Sequence, residues 1–178
     1  VRRNVFGHVA GIGSADTGVR ASGGKVVLLH NDFVNHANAG LLYGGGAELY
    51  LRDNIFSSNA RGIEETGSGS SLFGQFNVFF ANGSDRTGSG TWENDIAAAD
   101  PSFAQSSAGD YRLLPASPVR GSGFGGADPG VYDGPRFIPY DIAPDGTIPR
   151  PPRELTAAYQ GDSVALDWQA NVESDLQG

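Results

Sequence analysis

The chain has 178 residues, 39% of them hydrophobic, with 27 glycines, no cysteine and a formal net charge of −8. That is enough for a buried core in one ordinary domain, or one and part of another. The acidic balance and the single lysine, Lys25, exclude a nucleic-acid surface built from clustered Lys and Arg; disulfides and thiolate metal sites are excluded outright, and no apolar run approaches the roughly 20 residues of a membrane-spanning helix.

From the N-terminus onward the chain repeats itself. The triplet Asn-x-Phe occurs as Asn4-Val5-Phe6, Asn31-Asp32-Phe33, Asn54-Ile55-Phe56 and Asn77-Val78-Phe79, at intervals of 27, 23 and 23 residues. Five and three residues before each later Asn stand mostly apolar residues: Val26 and Leu28, Leu49 and Leu51, Leu72 and Gly74. After the first three triplets comes a small residue followed by an aliphatic one: Gly11-Ile12, Gly40-Leu41 and Gly62-Ile63. Each unit thus holds about three short strands separated by polar or glycine-rich corners. A single unit has no core of its own, whereas stacked units bury equivalent side chains about 4.8 Å apart along parallel sheets. The spacing predicts an all-β parallel β-helix over residues 1–95. Phe6, Phe33, Phe56 and Phe79 form its internal aromatic ladder, and Asn4, Asn31, Asn54 and Asn77 an amide ladder at one corner. The Leu-x-x-Leu-x-Leu signature of leucine-rich repeats is absent, and the period is too short for a propeller blade. In this register Val1 falls within a strand. An uncapped N-terminal face is therefore expected, covered by upstream coils of the same protein or by another copy.

These units resemble the right-handed parallel β-helix repeats of the pectate-lyase-like superfamily. The next stretch is more specific. Asp100-Pro101-Ser102-Phe103, Asp110-Tyr111-Arg112-Leu113 and Ser117-Pro118 resemble the closing segment of many bacterial members. Val119-Arg120-Gly121 departs from the aliphatic-Asp-x-Gly element that usually follows there. The resemblance covers residues 1 to about 135. It implies that residues 96–135 finish the last coils and close the open end, with Phe103, Tyr111 and Leu113 over the last rung. It also implies an extracellular or cell-surface protein, bacterial in origin, directed at polysaccharide.

Seven of the ten prolines lie between Pro129 and Pro152, which predicts an extended, semi-rigid linker over 136–153. Beyond it, Glu154-Leu155-Thr156-Ala157 and Val164-Ala165-Leu166-Asp167-Trp168 predict two strands around the turn Gln160-Gly161-Asp162. Residues 154–178 resemble the start of a fibronectin type III sandwich, of which about two strands out of about seven are present. The alternative is a C-terminal hairpin packed on the β-helix.

Polysaccharide binding by β-helix proteins of this superfamily uses a groove on the outer face of the stack. The outward positions before each Asn place Tyr50 over Phe73 as a sugar-stacking platform, with Arg52 beside it for an acidic glycan. The same pair also reads as aromatic cover for the sheet. A β-eliminating lyase needs a Lys or Arg base and a cation; Lys25 has no acidic cluster around it. A hydrolase needs two carboxyls about 5 to 9.5 Å apart. Glu64 is the candidate acid, but Glu65 points to the opposite face and Leu42 is Glu64's aligned neighbour in the preceding coil. The residue before each Asn gives the row Arg3, His30, Asp53, Phe76. His30 beside Asp53 is either a fragment of an acid–base arrangement or a charge-paired surface corner. Asp85, Glu93, Asp95 and Asp100 are the place to look for Ca²⁺, although their spacing lacks the pattern of a calcium loop. No other metal site or cofactor is expected. The expected function is that of a polysaccharide lyase or glycoside hydrolase whose catalytic coils lie upstream of Val1. The alternative is a non-catalytic surface, adhesion or stalk module.

Overall fold

The computed structural model describes residues 1–7 and 16–132 in full, and the backbone of strands Arg153–Gln160 and Ser163–Gln169. The chain divides into two units, Val1–Phe137 and Ile138–Gly178. The first is a parallel β-solenoid of about three coils with roughly 23 residues per coil. Three parallel sheets wrap its core. The first sheet contains β1 (Val5–Gly7), β4 (Asp32–Val34), β7 (Ile55–Ser57), β10 (Val78–Phe80) and β13 (Ile96–Ala97). The second contains β2 (Thr17–Ser22), β5 (Ala39–Gly44), β8 (Arg61–Thr66) and β11 (Ser84–Thr87). The third contains β3 (Lys25–Leu29), β6 (Glu48–Arg52), β9 (Ser71–Gln75) and β12 (Thr91–Glu93).

The Asn-x-Phe triplets stack in register, Phe6 on Phe33 on Phe56 on Phe79. Their rings lie 5.0, 4.6 and 5.2 Å apart, nearly parallel. Phe33, Phe56 and Phe79 are fully buried, each contributing roughly 1.5–3 kcal/mol of burial. The rings need room from the second sheet. A Cβ on Gly40 would stand 3.0 Å from both Phe33 and Phe56, so the small residue before each aliphatic one clears the ladder. Gly11 and Ile12 lie outside the described residues. The register gives their expected place in the first coil to Gly18-Val19, with Val19 opposite Leu41.

The residues that turn the chain from the third sheet into the first, Arg3, His30, Asp53, Phe76 and Asn94, all have φ between 51° and 56°. Side chains other than Gly are strained in that left-handed region. The amide ladder compensates: the Asn31 and Asn54 backbone N–H groups donate to Asn54 Oδ1 at 3.0 Å and Asn77 Oδ1 at 3.1 Å. The row ends on Asp95, whose Oδ1 accepts from the Asn77 N–H at 2.8 Å. A second ladder, not foreseen, turns the first sheet into the second: the His36 N–H donates to Asn59 Oδ1, and the Asn59 N–H to Asn82 Oδ1, both at 3.0 Å. Its signal was present, since His36, Asn59 and Asn82 each follow a triplet Asn by five residues.

The C-terminal end of the stack is closed differently from expectation. The last coil shortens, with 18 residues from Asn77 to Asp95. Trp92 occupies the inward row after Leu28, Leu51 and Gly74 and meets Phe79 edge-on at 6.2 Å. Arg86, in the row of Leu41 and Ile63, lays its guanidinium 4.9 Å from Phe79 and 4.7 Å from Trp92, and pairs with Asp95 at 3.1 Å.

Phe103 and Leu113 pack elsewhere. They belong to the antiparallel pair β14 (Phe103–Gln105) and β15 (Asp110–Leu113), which lies with Ile96, Ala99 and Val119 against Ile55 and Val78 on the outer side of the first sheet. Tyr111 reaches as far as Gly7, where its hydroxyl would lie 3.2 Å from an added Cβ. The closing segment is thus a lateral strap rather than an end cover. The physical reason is that the outward row Ile55, Val78, Ile96 is apolar and needs burial as much as the end does. The solenoid itself extends through Ala97 in β13.

The tail strands β16 (Arg153–Gln160) and β17 (Ser163–Gln169) form the antiparallel pair expected, with Ala157 opposite Leu166. Most of the Pro-rich linker, and the turn between these two strands, lie outside the described residues.

Candidate functional site

The outer face of the third sheet carries a groove of about 460 Å³. Its central row is Val27, Tyr50, Phe73 and Thr91, one residue from each successive coil. The Tyr50 and Phe73 rings stack 5.8 Å apart at 26°. Val27 is 45% exposed, so the row is open to solvent. One rim is Lys25, Glu48 and Ser71, with Lys25 Nζ and Glu48 Oε2 paired at 3.2 Å. On the other side, Tyr50 Oη donates to Gln75 Oε1 at 3.1 Å, and Gln75 Nε2 donates to Glu93 Oε2 at 3.0 Å. The stacked pair gives the groove an apolar aromatic centre between hydrogen-bonding rims, which suits a ligand with both apolar and polar surface.

Arg52 does not join this groove. Its Nε lies 3.3 Å from Asp53 Oδ2, and its guanidinium stacks 4.7 Å from the Phe124 ring. The strap draws it there, because Phe124 follows a turn that also caps Asp53.

His30 and Asp53 do meet, with Nε2 and Oδ2 3.3 Å apart. The corner is not at the surface: the His30 and Asp53 side chains are 6% and 1% exposed. The strap seals it. The Phe124 N–H donates to Asp53 Oδ1 at 2.7 Å, and the Gly130 N–H to the Asp53 carbonyl at 2.7 Å. Phe76, next in the row, touches Phe124 edge-on at 5.7 Å. A carboxylate with its oxygens spent on a backbone N–H, a His and an Arg anchors the strap.

Glu64 stands between Leu42 and Thr87 in register and pairs with Arg61 at 3.0 Å. Glu65 turns to the other side, accepting from the Ser89 N–H and hydroxyl at 2.8 and 3.0 Å. Burial, then the nearby Glu65 carboxylate, pushes the Tyr43 hydroxyl up to about 12. The four carboxylates considered for Ca²⁺ are engaged separately. Asp85 accepts from Asn82, Glu93 from Gln75, Asp95 from Asn77 and Arg86, and Asp100 from the Ser102 N–H. Among the described residues no three metal-ligating side chains converge.

One buried acid escaped the sequence reading. Asp32 stands in the outward row of the first sheet beside Ile55 and is fully buried beneath the strap. Neither carboxylate oxygen has a well-formed hydrogen bond. The Val131 N–H only approaches it, and burial holds its carboxyl well above the usual carboxylate range.

Comparisons with protein-family models, with curated proteins and with solved structures return no match for this chain.

Proposed function

We propose that the chain belongs to an extracellular, carbohydrate-directed protein and binds a polysaccharide along the outer face of the third sheet. The observation that carries this is the stacked Tyr50–Phe73 pair set in an open groove between polar rims. The Asn-x-Phe triplets and the Asp100–Pro118 motifs support placing the solenoid in the pectate-lyase-like superfamily. The alternation of Val164, Leu166 and Trp168 in the tail supports the start of a fibronectin type III domain. If the whole protein is a lyase or hydrolase, the residues described here serve binding. Glu64 is held by Arg61, and the His30–Asp53 pair is sealed under the strap.

A non-catalytic stalk or adhesion module is the second reading. It is favoured by the ladders of Asn and Phe, which repeat the same bonding in coil after coil, as a stiff spacer requires.

Titration calorimetry against a panel of plant and microbial oligosaccharides tests the proposal. At least one glycan should bind, and Tyr50→Ala or Phe73→Ala should weaken it by about tenfold, or about 1.4 kcal/mol. Binding that survives both substitutions would move the site elsewhere. No binding by any glycan would favour the stalk.

A further inference from the structure

We infer that the groove takes an uncharged, extended chain of β-linked pyranoses lying along the solenoid axis, and that it discriminates against polyuronates. This rests on the carbohydrate reading above and specifies the ligand within it.

The orientation follows from the register. The central row offers one side chain per coil, Val27, Tyr50 and Phe73, at the spacing of neighbouring strands, about 4.8 Å. A pyranose unit is close to that length. A chain running along the axis therefore sets successive rings on successive rungs, whereas a chain running along a strand would leave the row after one sugar. Three rungs in line also call for an extended backbone. β-Linked chains of equatorially substituted pyranoses are extended and flat, while α-linked glucans coil away from a straight row. Their C–H faces match the apolar side chains of the row.

The discrimination follows from charge. Each sugar of a polyuronate carries a carboxylate that needs a cation at every rung or so. Lys25 is the groove's cation, and it is already paired with Glu48. Arg52, the next candidate, is turned away to Asp53 and Phe124. Glu93 borders the other side and is bonded to Gln75. Lys25 and Glu48 cancel within the groove, and the whole chain stands at −8. What the groove offers besides that ion pair is neutral: the Tyr50, Ser71 and Thr91 hydroxyls and the Gln75 amide bonded to Tyr50, all suited to sugar hydroxyls.

Calorimetric titration of the full chain with cellohexaose, xylohexaose and hexagalacturonate, at low and high salt, decides the matter. A neutral hexamer should bind with an affinity insensitive to salt, and hexagalacturonate at least ~10-fold more weakly. Phe73→Leu, which keeps the row apolar but removes the ring, should weaken the neutral hexamer. Tighter binding of hexagalacturonate, falling with salt and lost in Lys25→Gln, would overturn the inference while leaving a carbohydrate groove in place. Binding of none of the three at any salt would overturn it as well. Failure across a wider glycan panel would remove the underlying reading too.

Discussion

Asp32 is the side chain placed furthest from its preferred surroundings. It is fully buried, its oxygens lack well-formed hydrogen bonds, and burial raises its folded-state pKa above the ordinary value near 3.8. Folding thus favours the protonated carboxyl. The stability tied to that form is fully present below the unfolded value and is lost as pH rises through the folded one. Asp110 runs the other way: its hydrogen bonds to Arg112 hold the carboxyl low, so its contribution is present above the unfolded value and lost as pH falls. Comparing Asp32→Asn with the parent isolates the first effect. The variant should be more stable near pH 7 by on the order of 1 kcal/mol and should lose that advantage by about pH 3 in urea unfolding. Parallel pH profiles would mean that Asp32 is already ionised and solvated in the folded protein. Alternation within the triplet Asn31-Asp32-Phe33 sets Asp32 on the face opposite Phe33 but does not say what lies above it. Periodicity gives a side chain's face, whereas its cover comes from a strap about a hundred residues later.

The end of the stack is set by two elements, β9 and β12. Gly74 interrupts the row of Leu28 and Leu51, and Trp92 folds into the vacated space. A Cβ at Gly74 would lie within van der Waals overlap of the Trp92 ring, 2.3 Å from Cε3. Gly74→Ala should therefore push Trp92 outward, red-shift its emission and lower stability by about 1–3 kcal/mol. Trp92 and Trp168 are the two tryptophans, so the shift is best read in a Trp168→Phe background. Unchanged emission would show that Trp92 is not seated on Gly74. The regular coils were legible because Asn-x-Phe marks each one at the same place. The last coil was not, because it shortens and puts Asp95-Ile96-Ala97 where the triplet would stand. The strap was misplaced for a related reason. Phe103 and Leu113 announce burial, but an open end and an apolar flank ask for the same side chains.

At the scale of the whole molecule, the three outer faces of the solenoid carry different chemistry. The first is covered by the strap, with His30, Asp32 and Asp53 sealed inside. The second bears Glu64 bridged to Arg61. The third is open, aromatic along its centre and polar at its rims. Tyr50 and Phe73 could be placed there from the repeat alone, since outward positions recur with the coil. Arg52 could be placed only once its neighbour Phe124 was known, through a strap bond spanning 71 residues. We propose that ligand meets the molecule on the third face. Backbone-amide NMR during titration with a neutral oligosaccharide tests this. Shifts should concentrate at residues 25–27, 48–50, 71–73 and 91, the lining of the groove. Shifts centred on Glu64 or on the His30–Asp53 corner, with the third sheet unmoved, would contradict it.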